Sequence, residues 1–257
     1  MGRQLARRLY YPLYRLAVRS TCWWLDWRDR GTREPLPPAM LRFRVCESAS
    51  SSTFRATGER ASRNLSESLL RAGRPLETFD SILDFGCGCG RTLVWLARQL
   101  PGKRFYGTHV DPEAIHWCRE SLKFGDFRVN GALPPLDYPD ETFDLVFGIS
   151  VFTHMDEDRQ RRWLPELRRV LRSGGILILS VHGKNAWKVL SRDAVADLQR
   201  TGTLFVESRK LKGFLPEWYQ TSYHTRDYVL GMIGAHLRVL EYIEGGMGDQ
   251  DVIVAQK

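Results

Sequence analysis

Long apolar runs are scarce in this sequence. The longest, Ile176 to Leu179 with its neighbours, is far too short to cross a bilayer, which takes about 20 apolar residues in a helix. No apolar core stands behind the N-terminal charges, so a secretory leader is not expected. Cysteine is sparse as well: Cys22, Cys46, Cys87, Cys89 and Cys118 make an odd set without zinc spacing. Cys87 and Cys89, one residue apart inside a glycine-rich turn, read as small buried side chains in a reducing, cytoplasmic compartment. Net basic charge is scarce outside the N-terminus. Residues 1–33 hold eight arginines against Asp26 and Asp29, which accounts for six of the eight net positive charges of the 257-residue chain. The remainder is close to neutral and lacks the surplus that a nucleic-acid groove needs.

The stretch Ile82-Leu83-Asp84-Phe85-Gly86-Cys87-Gly88-Cys89-Gly90-Arg91 carries the strongest signal. A short apolar run ends in an acid, and three glycines then alternate with small residues ahead of Thr92-Leu93-Val94-Trp95-Leu96-Ala97, which has the composition of a buried helix. Strand, glycine turn and helix form a nucleotide-cradling unit, because a residue without a Cβ lets backbone approach a ligand and the helix start presents free N–H groups. The dinucleotide fingerprint G-x-G-x-x-G is missing, since Arg91 or Leu93 stands where its third glycine belongs.

Beyond the turn, strand and helix patterns alternate. Strands are expected at Ser81–Phe85, 104–110, 127–130, 143–149 and Ile176–Val181, with helices at 57–72, 90–99, 112–122 and 156–171. Such alternation implies parallel strands with helices on both faces. Two further runs, 237–243 and 251–255, are joined too closely for a parallel crossover and must be antiparallel neighbours. The expected fold is α/β: a doubly wound, mostly parallel seven-stranded sheet finished by an antiparallel hairpin. Residues 1–56 read as a basic, aromatic extension and linker, and 57–257 as the main domain with an insertion at about 184–236.

The D-x-G-x-G-x-G turn resembles motif I of class I S-adenosylmethionine-dependent methyltransferases. So do the fourth-strand run Phe143–Ser150, the segment from Pro165 to Ile176 and the terminal hairpin. The resemblance is strong over 76–183 and moderate at the hairpin. It implies S-adenosylmethionine as cofactor, with Asp84, Gly86, Cys87, Gly88 and Gly90 holding its methionine end. Asp111 would take the ribose hydroxyls, and Asn130 with Gly131 would meet the adenine amino group. Ser150, after strand four, would face the methyl donor. Asn130 stands where the family often has aspartate, but an amide oxygen accepts the same hydrogen bond. No metal is implied.

The acceptor is not named by the sequence. Base amino methylation uses an Asn/Asp-Pro-Pro-aromatic motif after strand four, and cytosine C5 methylation a Pro-Cys nucleophile; Ile149-Ser150-Val151-Phe152 replaces the first and the second is missing. A small-molecule or glycan-like acceptor is therefore expected. The transfer needs a base, for which His154 and His224 are the candidates, with His182 a third. Trp218, Tyr219 and Tyr223 are expected to wall the acceptor site, because flat faces with polar tips suit a ring-bearing or sugar-like molecule. A cofactor-binding subunit without catalysis remains an alternative, as does a membrane-surface scaffold built on the N-terminal arm. A nicotinamide oxidoreductase is disfavoured by Arg91 and the hairpin.

The arm itself carries Tyr10, Tyr11, Tyr14, Trp23, Trp24 and Trp27 among its arginines, with Leu5, Leu9, Leu13, Leu16 and Ala17 at helical spacing and Pro12 expected to kink or split the helix. It reads either as a helix lying on an anionic membrane surface or as one packed on its own domain with a solvated basic face. The oligomeric state is open.

Overall fold

The structure is a computed structural model that describes residues 2–32, 34–207 and 214–257, with side chains from Tyr11 onward. Expectations resting on the side chains of Leu5, Arg7, Arg8, Leu9 and Tyr10, and on residues 208–213 of the expected insertion, lie outside the described residues. The chain opens with three helices: α1 (Gly2–Arg28), α2 (Ala39–Cys46) and α3 (Ser51–Arg71). The strands and helices that follow are β1 (Ser81–Phe85), α4 (Leu93–Gln99), β2 (Arg104–His109), α5 (Pro112–Ser121), β3 (Gly125–Val129), β4 (Phe143–Gly148), α6 (Glu157–Val170) and β5 (Leu171–Val181). Then come α7 (Arg192–Thr201), β6 (Thr203–Val206), β7 (Thr221–His224), α8 (Arg226–Gly234), β8 (Arg238–Met247) and β9 (Gln250–Gln256).

Seven strands form one sheet in the order β3-β2-β1-β4-β5-β9-β8. The first five pair in parallel, and β9 runs against both β5 and β8. This is the expected α/β sheet with its terminal hairpin. Its central strands are covered on both faces, which is why they read as continuous apolar runs rather than alternating ones. Every residue of β1 is buried, as is Ile176–Val181 in β5. One face packs Leu65, Leu69, Leu93, Leu96, Ile115 and Cys118 from α3, α4 and α5. The other packs Trp163, Leu164 and Leu167 of α6 and Val229, Met232 and Ile233 of α8. Strand order reverses between β1 and β4, and the crevice beyond their carboxyl ends is where such sheets take ligands.

Several boundaries differ from the sequence reading. The serine cluster expected to be linker is the start of α3, where Ser50 caps the helix by accepting a hydrogen bond from Thr53 N. Residues 39–46, also expected to be linker, form α2. Helix α4 begins at Leu93 rather than at Gly90, so the glycine stretch is a longer turn. Helix α1 continues through Pro12 instead of splitting there. The insertion is shorter than expected at its far end, because α8 belongs to the main helical layer. What stands apart is the α7 helix and the two-stranded β6-β7 ribbon, tied to the end of β5 by a bridge between His182 and Tyr223. Among the described residues, no helix is long and apolar enough to cross a membrane.

Candidate active site

The carboxyl ends of β1, β2 and β4 open into a cavity of about 900 Å³. Its floor is the glycine turn. Gly86, Gly88 and Gly90 all take positive φ (87°, 55° and 69°), a region that L side chains rarely adopt. Gly86 N and Cys87 N both bond to Thr108 O, at 2.8 and 2.9 Å, which pins the turn to β2. A Cβ on Gly86 would meet Val151 at 2.3 Å. One on Gly88 would meet Val45 of α2 at 2.6 Å, so it is α2 that closes down on the turn at that point.

Asp84, the last acid of β1, lines this floor and is 4% exposed. Burial raises its pKa to about 8, against the opposing pull of the Arg91 guanidinium, which also lines the cavity. Asn130 lines the far side. Its Nδ2 donates to Gly131 O at 2.7 Å, while its Oδ1 is buried without a donor. An amide oxygen so placed is an open acceptor. Gly131 is not among the lining residues.

Asp111 borders the cavity but is already engaged. It caps α5 by accepting from Glu113 N at 3.0 Å, and its other oxygen accepts from Arg44 of α2 at 2.9 Å. A carboxylate keeps further lone pairs, so hydroxyls could still reach it, but in competition with Arg44. The residue that ends β2 and lines the cavity is instead His109, which burial lowers to about 4 and so keeps neutral. The sequence reading missed it, together with the closing role of Arg44 and Val45. The contact between Arg44 and Asp111 spans 67 positions, and no local pattern announces it.

The carboxyl end of β4 turns sharply at Ser150, whose φ is +59°, unusual for a residue with a Cβ. Ser150 N donates to Ser180 Oγ at 2.7 Å, and both hydroxyls meet the Gln250 side chain. This network fixes the turn that leads into His154. His154 Nδ1 lies 2.8 Å from Gln220 O, and a carbonyl can only accept, so Nδ1 carries the proton and Nε2 keeps its lone pair. Burial lowers His154 to about 4, which keeps it neutral. Tyr219 stacks on its ring with centroids 4.1 Å apart. His182, at the end of β5, repeats the arrangement, with Nδ1 3.1 Å from Ser222 O and Tyr223 stacked at 5.3 Å. His154, His182, Trp218, Tyr219 and Tyr223 all line the cavity, beside Phe214 and Leu215.

His224 does not join them. It is fully buried outside the cavity lining, and its Nε2 meets Gln160 Oε1 at 3.0 Å. The Gln160 amide in turn donates to Phe152 O and Met155 O, at 2.9 and 2.8 Å. His224 thus braces the turn that carries His154, and its expected part as a base is corrected to a structural one.

Comparison with known proteins agrees with this geometry. Residues 83–179 match the family model of a methyltransferase domain. Methyltransferase GfsG of Streptomyces halstedii is 34% identical over 130 residues, covering 48% of this chain and 43% of that protein. Norajmaline N-methyltransferase of Rauvolfia serpentina is 30% identical over 167 residues, covering 61% and 56%. The chain spans about half the length of the curated relatives it matches. Among solved structures, a methyltransferase from Methanosarcina mazei superposes with a TM-score of 0.56 at 24% identity, covering 73% of this chain and 96% of that one. The 1,6-didemethyltoxoflavin-N1-methyltransferase of Burkholderia thailandensis, with S-adenosylhomocysteine bound, also gives 0.56, at 19% identity and with 88% and 93% covered. Residues 83–179 thus match a methyltransferase domain, on a fold shared with S-adenosylmethionine-dependent methyltransferases.

Proposed function

We propose that this protein transfers a methyl group from S-adenosylmethionine to a small-molecule acceptor bearing an O–H or N–H group, with His154 as the base. The observation that carries the reading is that a single cavity joins the glycine turn to the His154–Tyr219 stack. At about 900 Å³ it is large enough for a cofactor and a modest acceptor together. The residues present fit the cofactor. Asp84 offers a carboxylate to an ammonium group, the buried Asn130 Oδ1 lacks a donor, and the positive-φ glycines leave the floor free of side chains.

S-adenosylmethionine supplies an electrophilic methyl group on a sulfonium sulfur. The chain's share is to orient the acceptor, exclude water and take up the proton that its oxygen or nitrogen loses. The neutral His154 with Nε2 unprotonated can accept that proton, and the Gln220 carbonyl holds the ring's other nitrogen in place. His182 offers a second imidazole, its ring 6.3 Å from that of His154. Phe214, Leu215 and Trp218 suit an acceptor with an apolar or ring-bearing body. Relatives named as a fatty-acid O-methyltransferase and a norajmaline N-methyltransferase favour a small acceptor of this kind.

The test is isotope-labelled S-adenosylmethionine offered with metabolite extracts fractionated by polarity, following the label into product. His154→Gln should retain S-adenosylhomocysteine binding within about twofold while turnover falls by about 10²–10⁴, the usual contribution of a positioned base. Undiminished turnover in that variant would remove His154 from the mechanism.

A further inference from the structure

Helix α1 carries two apolar stripes, and the domain uses only one. Tyr14, Val18, Cys22 and Leu25 pack inward, against Ala39 and Phe43 of α2 and against Phe214, Leu215 and Tyr219. At ~100° per residue, Leu13, Leu16, Trp23, Trp24 and Trp27 fall on the opposite side of the helix. They are 63, 62, 72, 49 and 58% exposed, and they are five of the eleven large hydrophobic residues exposed among those described. No domain core requires three tryptophans in water on one helix face, and a contiguous apolar stripe of this kind marks an interaction surface.

The charges around the stripe narrow its partner. Arg15 and Arg19 lie on one flank and Arg28 on the other, with Arg28 stacked over Trp24 at 5.2 Å. Of the two acids of this segment, Asp26 accepts from Ala39 N at 2.6 Å, and Asp29 bridges the buried Arg42 at 2.9 Å and Arg28 at 2.8 Å. The outward face is thus tryptophan and leucine bordered by arginine. Tryptophan favours the headgroup depth of a bilayer, and arginine beside it reaches lipid phosphates. A second copy on the same face would bring arginine flank against arginine flank.

We infer that the outward stripe of α1 docks the protein on an anionic bilayer surface, with the helix lying in the interface rather than crossing it. The inner stripe packs on Phe214, Leu215 and Tyr219, which also wall the cavity. A docked helix therefore keeps that wall within about one helix diameter, ~10 Å, of lipid. The inference is independent of the proposed chemistry, since it concerns a surface outside the cavity.

The test is flotation of the full chain with phosphatidylcholine vesicles, with and without phosphatidylglycerol, at low and high salt. Trp23→Ala/Trp27→Ala and Arg15→Glu/Arg19→Glu serve as paired variants. We expect the wild type to float only with the anionic lipid and to lose most binding at high salt, where charge attraction is screened. Each double variant should bind at least about tenfold more weakly, the effect of about 1.4 kcal/mol. Both variants should bind S-adenosylhomocysteine as the wild type does, which separates a lost surface from a lost fold. Tryptophan emission should shift to the blue on anionic vesicles and be quenched by brominated lipid. A wild type that stays unbound with anionic vesicles at low salt overturns the inference, as do tryptophan variants that float equally well. A dimer broken by Trp23→Ala, without flotation, would assign the stripe to self-association instead and overturn it too.

Discussion

Asp84 is the residue whose ionisation is most consequential for ligand binding. Its folded pKa of about 8 means that the free protein holds it mostly protonated at pH 7. A bound ammonium group favours the carboxylate, so binding must release that proton below pH 8. Affinity for S-adenosylhomocysteine should therefore rise by up to tenfold per unit between about pH 6 and 8 and level off above, since each pKa unit is worth about 1.4 kcal/mol. Calorimetry across that range, in buffers of different ionisation heat, checks both the slope and the released proton. Asp84→Asn should be weaker at pH 8 and lack the slope. A wild-type slope of zero would place the ligand's ammonium elsewhere. The acid was readable from the motif alone, but its protonation state was not. That depends on complete burial with Arg91 as its charged neighbour, and both follow from tertiary packing.

The lid formed by α2 is the element that most changes the expected picture of the glycine turn. A side chain at Gly88 was expected to project into ligand space, whereas in the structure it would first strike Val45. Gly88→Ala should thus displace α2 and also cost about 1–2 kcal/mol for a left-handed residue with a Cβ. We expect cofactor affinity to fall at least about tenfold, the equivalent of about 1.4 kcal/mol, with the far-ultraviolet spectrum intact. Adding Val45→Ala should recover part of that loss, because it removes the atoms struck. A double variant no better than Gly88→Ala would mean that the backbone strain, not the lid, carries the effect. The serine cluster before α3 carried its own N-cap signal at Ser50, yet among so many serines it resembled a linker. Local composition could not separate these two readings.

For the whole molecule, the N-terminal arm is part of the fold and not an appendage. Arg42 is fully buried, and its carboxylate partners are Asp29 and, more distantly, Asp26, both supplied by the α1 segment. Burial works against the Asp29 carboxylate, but hydrogen bonds from Arg28 and Arg42 outweigh it and lower its pKa. Removing residues 1–30 should strand a buried guanidinium, a loss of about 3–5 kcal/mol, and uncover Phe43 and Phe214. Asp29→Ala should show most of that loss by itself. Chemical denaturation of the full chain and of both variants, monitored at more than one wavelength, checks this. A truncated chain as stable as the full one would return the arm to the status of a tail. Of the two readings open at the start, the packed helix describes the inner stripe, and the outward stripe is what the vesicle experiment addresses.

What the sequence determined by itself is whatever depends on short-range pattern. The apolar runs at 81–85, 143–148 and 176–181 specify parallel strands buried on both faces, the glycine turn specifies a cradle, and the close spacing of the last two strands dictates an antiparallel hairpin. Tertiary structure alone decided which side chains share the cavity. His154 and His224 looked alike as candidate bases, and only the packing of Gln160 draws His224 into the core while His154 faces Tyr219. His109 and Asp111 stand two positions apart and both line the cavity, and only the start of α5 and the approach of α2 commit Asp111 to a helix cap and to Arg44 as well. The reason is physical. Backbone conformation follows from neighbours along the chain, whereas burial, protonation and contact at a site follow from neighbours tens of residues away.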